Sequence, residues 1–192
     1  WHAEYGSSQF YRTATDVLSK TKKAFKAMSV FTAGDIKRKR DLNYMFIILA
    51  AIENNFVYSF NKDAVPERLC VENDDRRPDI ARKLIDTINL IAMFRFDEGS
   101  IKKHFWHHKS NLEVLISVLY RLKTIPDNIR ELLASFAENV KESEMTEKFT
   151  NLYGEYKYYM GRGNAQGASG KYGKINALMK FLTPQTQQQE TK

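Results

Sequence analysis

Apolar residues recur every three or four positions along most of the chain, which is the period of an amphipathic α-helix. Residues 8–28 carry apolar side chains on one face and lysines on the other. Residues 35–60 are predicted to form a second helix that is apolar on nearly all sides, so it should be the buried centre of a bundle. Shorter periodic segments predict helices over residues 78–91, 101–108, 111–122, 127–140, 146–160 and 174–183.

Proline, glycine and polar clusters separate these segments. Residues 61–77 are predicted to be a loop, and residues 161–173, which hold five of the nine glycines, a mobile loop. Pro184 is predicted to end the last helix, which leaves residues 184–192 as a polar disordered tail. No strand–turn–strand pattern occurs. The predicted fold class is therefore all-α, an irregular bundle of seven or eight helices around the helix at about 41–60, in a single domain over residues 1–183.

Composition narrows the class of protein. The longest apolar run, Tyr44 to Ile52, has nine residues, whereas a membrane-spanning helix needs roughly 20, so we expect no membrane segment. A single cysteine, Cys70, excludes an intrachain disulfide and favours a cytoplasmic protein. The chain starts at Trp1, not at methionine, so we expect it to be a fragment of a longer protein.

The net charge of +7 is concentrated at the two ends of the chain. Residues 1–60 and residues 161–192 each carry a net charge of +4, and the segment between them is nearly neutral. Two basic ends folded onto one side would form a surface for nucleic-acid backbone. The basic run 37–40 sits at the start of a predicted helix, where cations are unfavourable, and this conflict favours a ligand-binding role. The candidate nucleic-acid-binding residues are Lys37, Arg38, Lys39, Arg40, Arg162, Lys171 and Lys174.

Motifs that carry catalysis or bind cofactors are incomplete. Gly170-Lys171 resembles the end of a phosphate-binding loop, but the motif's first glycine is replaced by Ala165 and its Ser or Thr by Tyr172. His104 and His108 have the i, i+4 spacing of zinc ligands, yet no third ligand is near in the sequence. Cys70 lacks an identifiable histidine partner. We therefore predict no catalytic residue, no metal ligand and no cofactor.

A tyrosine cluster offers one further alternative. Tyr156, Tyr158 and Tyr159 have the aromatic faces needed to stack on bases. At helical spacing beside Phe149 and Leu152, they are more often core and rim residues.

Three local features carry a resemblance to a known family. They are Tyr5-Gly6 with Phe10 and the first helix; Arg38-Lys39-Arg40-Asp41-Leu42 leading into the apolar segment 46–52; and Tyr156 followed by glycines 161–170, Lys174-Ile175 and Leu178. Over residues 5–182 the chain resembles the helical C-terminal half of the GmrS-like proteins. These are ParB/sulfiredoxin-related nucleotide hydrolases and nucleases of modification-dependent restriction and phage defence.

The resemblance implies a helical module without catalysis. The family's catalytic signatures are an aspartate-glycine-glutamine-glutamine-arginine run and a glutamine-arginine pair, and neither occurs here. The module would contact DNA backbone, or pack on a nuclease or NTPase core outside this chain. The alternative is a protein-interaction or regulatory scaffold that does not bind nucleic acid. A stand-alone enzyme, metal-dependent through His104 and His108, is the third hypothesis.

Overall fold

All regular secondary structure in the described residues is helical. The computed structural model describes residues 6–54, 64–96, 104–144, 151–161 and 168–189. These residues form nine α-helices and one short 3-10 helix, Phe105–His107. The α-helices are α1 (Gln9–Ala27), α2 (Ala33–Lys37), α3 (Arg40–Glu53), α4 (Ala64–Val71), α5 (Arg77–Met93), α6 (Lys109–Arg121), α7 (Ile129–Glu142), α8 (Leu152–Gly161) and α9 (Ala168–Gln189). The predicted all-α fold class is confirmed.

The chain divides into two compact units, residues 1–103 and residues 104–192. The sequence pattern predicted one domain around one central helix, but α3 is the centre of the first unit only. Helix α6 has the corresponding role in the second unit, where residues 111–119 are all buried. No described helix combines the length and the apolar character that crossing a bilayer requires.

In the first unit, α1 packs against α3, α4 and α5. Helix α1 begins where the sequence indicated, because the Ser8 hydroxyl oxygen accepts a hydrogen bond from the Tyr11 backbone N–H at 3.1 Å. Its buried face includes Phe10, Val17 and Phe25. Phe10 stacks on Phe46 of α3 with ring centroids 5.7 Å apart, which joins the two helices at the core.

Two predictions for the first unit are wrong in their boundaries. The helix expected from residue 35 to residue 60 is interrupted, because Lys39 adopts a left-handed conformation with φ of 54° between α2 and α3. Helix α3 ends at Glu53, and the predicted continuation to residue 60 lies outside the described residues. Residues 61–77 are not all loop, because Ala64–Val71 form α4.

In the second unit, α9 packs along α8 and α6, and α8 also packs on α7. An aromatic cluster fills the centre. Tyr156 is fully buried, and its ring contacts those of Phe105, Trp106 and Phe136 at centroid distances of 5.9, 6.1 and 5.3 Å. The Trp106 indole N–H donates to the Leu133 carbonyl at 2.8 Å, so the largest buried side chain has its polar atom satisfied.

Part of the predicted glycine-rich loop is helical. Residues 168–173 belong to α9, and only residues 162–167 of the expected loop lie outside the described residues. Gly173 is needed for the close approach of α9 to α8, because a Cβ at this position would overlap the Tyr159 ring. Helix α9 also continues through Pro184 to Gln189, so the predicted helix end and disordered tail are wrong as far as residue 189.

Candidate nucleic-acid interface

The basic run Lys37–Arg40 lies at the junction of α2 and α3, and all four side chains are exposed. Lys37 occupies the last turn of α2 and Arg38 is its C-terminal cap residue. Cations are favourable at a helix C-terminus, so the conflict with the helix dipole that the sequence suggested does not exist at Lys37. The exposed run therefore coincides with the junction of two helices rather than with the start of a single one.

Short-range contacts fix this junction. The Thr32 hydroxyl accepts from the Asp35 N–H at 3.1 Å, and the Asp35 carboxylate accepts from the Thr32 N–H at 3.0 Å, which forms a capping box at the start of α2. Asp35 is buried, and Arg40 Nη1 lies 3.5 Å from its Oδ1. Arg40, the first residue of α3, thus contacts the capping-box carboxylate of α2, whereas Lys37, Arg38 and Lys39 are exposed.

A cleft of about 650 Å³ brings this junction close to the lysine face of α1. Lys22 and Lys26, one turn apart on α1, line the cleft. Ile36 and Asp41, the residues immediately before and after the basic run, line it as well. The cleft thus joins the lysine face of α1 to the two residues that flank the basic run, whereas residues 37–40 themselves do not line it. We call Lys22, Lys26, Lys37, Arg38 and Lys39 the basic rim.

The basic rim is not neutralised by its described surroundings. Among residues 6–54, 64–96, 104–144, 151–161 and 168–183, no carboxylate lies within 4.0 Å of a rim ammonium or guanidinium nitrogen. Lys20, by contrast, pairs with Asp16 of the same helix at 2.8 Å. Asp41 is the acidic residue of the cleft wall. The local field at the cleft is consequently positive, which suits an anionic ligand.

The floor of the cleft is apolar. It is lined by Leu18, Phe25, Phe31, Ile36 and Leu42. Ile36 is 51% exposed, which is unusual for a large aliphatic side chain. Phe31 is half-buried and contacts Phe25 edge to face, with ring centroids 5.2 Å apart. The cleft thus has an apolar floor below a basic rim.

The structure contradicts two of the predicted phosphate-binding residues. Lys171 and Lys174 lie in α9 with 8% and 1% of their surface exposed. The Lys171 ammonium donates to Glu113 Oε1 of α6 at 2.5 Å. Burial, together with the nearby Lys171, lowers the pKa of Lys174 to about 8, although the Glu113 carboxylate acts in the opposite direction. These ammonium groups belong to the interior of the second unit and have no access to a phosphate backbone.

The remaining candidate, Arg162, lies outside the described residues. The structure therefore leaves the run 37–40 as the described part of the predicted interface. Lys22 and Lys26 line the cleft, and the sequence placed them on the lysine-bearing face of the first helix without naming them as candidates. Their signal in the sequence was present, because both fall on the polar side of α1 together with Thr15 and Ser19.

A buried arginine cluster in the first unit was not foreseen. The Arg77 side chain is fully buried and its five N–H groups all have acceptors. The guanidinium binds both oxygens of Glu53 at 3.0 to 3.1 Å, the Gln9 side-chain oxygen at 3.0 Å, and the carbonyls of Leu69 and Glu72 at 2.9 and 2.6 Å. No donor remains for a ligand, so Arg77 has a structural role.

The chemistry of this cluster follows from its burial. Desolvation raises the pKa of the Glu53 carboxyl, and the paired Arg77 guanidinium counteracts part of this effect. One sequence signal could have revealed the burial of Arg77, because this residue precedes Ala81, Leu84 and Ile88 at the spacing of the buried stripe of α5.

The histidine motif does not form the predicted geometry. His104 precedes the 3-10 helix, and its Nδ1 accepts the Trp106 backbone N–H at 3.3 Å. His107 is buried and His108 stands at the start of α6, so the i, i+4 helical pair is absent. Within the part of the chain that the structure describes, no group of three or more His, Cys, Asp or Glu residues is arranged to hold a metal ion.

The other chemical candidates have structural positions. Cys70 is buried near the end of α4. Tyr156 is a core residue, and its hydroxyl lies 3.4 Å from Asn111 Oδ1. Tyr159 is half-buried with its ring against Gly173, and the fully buried Tyr156 offers no face for base stacking. Tyr158 is half-buried next to Tyr159, with ring centroids 5.3 Å apart.

Comparison with known proteins adds no relative: no family model, no curated protein and no solved structure matches this chain. The resemblance to the GmrS-like proteins therefore stays a prediction that rests on the three short sequence features.

Proposed function

We propose that the first unit is a non-catalytic helical module that binds the backbone of nucleic acid through the basic rim. The observation that carries this proposal is a cleft lined by Lys22 and Lys26 of α1 and by Ile36 and Asp41, the two residues that flank the exposed basic run 37–40. Lysine and arginine side chains that approach phosphates release condensed counterions, and this supplies most of the affinity in sequence-independent binding.

The resemblance to the GmrS-like proteins extends this proposal. In that setting, the module would contribute backbone contacts to a DNA-directed protein whose catalytic residues lie in another domain or in a partner. The buried positions of Lys171 and Lys174 restrict the proposed contacts to the first unit.

A binding measurement with charge variants tests the proposal. The triple variant K37Q/R38Q/K39Q removes three rim charges at exposed positions, where substitution should leave the fold unchanged. We expect its affinity for nucleic acid at moderate salt to fall roughly tenfold or more, because three phosphate contacts are lost. Fluorescence anisotropy with a labelled oligonucleotide measures this change.

The matched control is K83Q/K123Q/K141Q, which removes the same charge at exposed lysines that belong neither to the cleft lining nor to the basic rim. It should bind with nearly the affinity of the unmodified chain. An equal loss in both triple variants would mean that only net charge matters, and the assignment of the interface to the basic rim would then be wrong.

The apolar floor favours one second candidate, a protein partner. Leu18, Phe31 and Ile36 are the kind of residues that hold an amphipathic helix in a groove. Such a partner would need acidic residues to match Lys22 and Lys26. This candidate predicts that an acidic amphipathic peptide binds in the cleft and that oligonucleotides do not compete with it.

A further inference from the structure

The wall of the cleft that α1 provides has the spacing of a helix-packing face. The cleft-lining residues of α1 are Thr15, Leu18, Ser19, Lys22, Phe25 and Lys26. They fall at positions i, i+3, i+4, i+7, i+10 and i+11, so they form one continuous stripe of about three turns and about 16 Å. Helices pack by fitting the side chains of one such stripe between those of another. The stripe therefore has the length and spacing to receive a second helix.

The cleft also exposes aliphatic surface that a docked helix would cover. Ile36 of α2 is 51% exposed, and Leu18 of α1 is half-buried. Leu42 of α3 lines the same cleft. Covering aliphatic side chains removes apolar surface from water, which is the main favourable contribution to helix docking in a groove.

Charge identifies the polar face of the partner. Lys22 and Lys26 are exposed and one turn apart, and within the described part of the chain no carboxylate lies within 4.0 Å of either ammonium. A helix with Glu or Asp at i and i+4 can place one carboxylate beside each ammonium. Asp41 lines the cleft from α3 and would match a lysine on the other edge of that helix.

We infer that the cleft is a docking groove for an acidic amphipathic helix, and that this helix and nucleic acid exclude each other. The inference rests on the proposed function, because Lys22 and Lys26 belong both to the cleft lining and to the basic rim. In the second candidate function above the helix is the only ligand. Here both ligands bind the same two lysines, so the helix regulates nucleic-acid binding.

The exclusion follows from the position of the two lysines. A docked acidic helix would neutralise Lys22 and Lys26 and bring further negative charge close to the basic run, whose flanking residues Ile36 and Asp41 line the cleft. Phosphates would then lose two contacts and be repelled by the helix. The effect is reciprocal, because two ligands that share a site weaken each other to the same extent.

The test uses the full chain with two labelled probes, a designed peptide and a double-stranded oligonucleotide. The peptide forms about four turns, with leucines at i, i+3, i+4 and i+7, glutamates on one edge and a lysine on the other. We expect unlabelled oligonucleotide to displace it. Peptide at ten times its own Kd should raise the apparent Kd of the oligonucleotide about tenfold, as mass action requires for a shared site.

A scrambled peptide of the same composition is the control for net charge. It has no apolar stripe, so it should bind weakly and should displace little oligonucleotide. Equal binding of the designed and scrambled peptides would overturn the inference, because attraction between opposite net charges would then explain the result.

Variants of Ile36 and Lys22/Lys26 separate the two ligands. I36S removes exposed apolar surface and should weaken the peptide roughly tenfold or more with no change for the oligonucleotide, which also shows that the variant is folded. V71S changes a side chain that is 76% exposed and outside the cleft lining, and it should affect neither ligand. K22Q/K26Q should weaken both. Normal peptide affinity in I36S would overturn the docking groove.

Three outcomes separate this inference from the proposed function. Oligonucleotide binding without peptide binding contradicts the inference alone. Binding of both ligands without displacement also contradicts the inference and leaves the proposed function intact. Peptide binding without any oligonucleotide binding contradicts the proposed function, and the competition with it.

Discussion

At the scale of single residues, the most constrained side chain is Arg77. It links Gln9 of α1 and Glu53 of α3 to the carbonyls of Leu69 in α4 and of Glu72 just after α4. Its guanidinium lies 5.6 Å from the centre of the Phe10 ring. Removal of one member of a buried ion pair leaves the other charge without compensation. Loss of either partner alone is therefore expected to destabilise the fold strongly.

We expect R77M to lower the free energy of unfolding by about 3–5 kcal/mol, because Glu53 then stays buried and unpaired. The double variant R77M/E53L removes both charges and should recover most of this loss. R76M is the control, since Arg76 is 72% exposed in its pair with Asp74 and should contribute at most about 1 kcal/mol. Urea unfolding followed by circular dichroism measures all three; a double variant no better than R77M would contradict this account.

The burial of Lys174 makes the free energy of unfolding depend on pH. Burial lowers its pKa from 10.5 to about 8 in the folded chain, so the unfolded chain binds more protons between these two values. Stability should therefore rise with pH across this window and should be lowest below about pH 8, where the buried ammonium is fully charged. The neighbouring charges are Glu113 of α6 and Lys171 of α9.

K174M should be more stable than the unmodified chain at neutral pH and should lack this part of the rise with pH. The difference in unfolding free energy between the two proteins, measured from below pH 8 to above pH 10.5, isolates the contribution of Lys174. K180M, at an exposed position of the same helix, should show no such difference. A constant difference between K174M and the unmodified chain would contradict the burial of a charged Lys174.

At the scale of helices, the contact between α8 and α9 depends on one glycine. A methyl group at position 173 would overlap the Tyr159 ring, so α9 could not lie as close to α8. The sequence suggested instead that the glycines between residues 161 and 173 mark a loop. Glycine count alone does not distinguish a loop from a close helix contact, because both need the absence of a side chain.

We expect G173A to lower the free energy of unfolding by about 1–3 kcal/mol through overpacking against Tyr159. G34A provides the contrast, because a Cβ there would meet only Thr32 Oγ1 at an ordinary 3.7 Å in exposed helix α2. That variant should gain about 0.5–1 kcal/mol from the helix propensity of alanine. Thermal unfolding of the two variants compares them, and a stable G173A would contradict the close contact of α8 and α9.

Sequence periodicity predicted the helices with a clear apolar stripe. The helix over residues 8–28 and the helix that starts near Pro78 were predicted correctly as helices. In both, the buried face of the helix is visible in the sequence as an apolar stripe. The break at Lys39 was missed, since a left-handed residue in a charged run leaves no apolar signal. The expected end of α9 at Pro184 was also wrong, because a proline removes one hydrogen bond without stopping every helix.

At the scale of the whole molecule, the structure exposes one part of the predicted basic surface and buries another. Exposed positions 37–40 could be inferred from a run of four cations. The burial of Lys171 could not, because its partner Glu113 is 58 positions away and lysine is almost never buried without one. Likewise, the proximity of Lys22 and Lys26 to the basic run depends on how α1, α2 and α3 meet.

The division into two compact units was likewise not predicted, because it depends on contacts between residues that are distant in sequence. A net charge of +7 and a continuous series of helices suggested a single bundle with both basic ends on one face. The units 1–103 and 104–192 have separate apolar centres instead, α3 in one and α6 in the other. The proposed interface therefore depends on the first unit alone.

The salt dependence of binding tests the central claim most directly. For a single-stranded oligonucleotide, five phosphate contacts at the basic rim should give a slope of about −3.5 in a plot of log affinity against log salt concentration. K37Q/R38Q/K39Q should reduce the magnitude of that slope by about 2. A slope near zero for the unmodified chain, or the same slope in the triple variant, would contradict binding of nucleic-acid backbone by the basic rim.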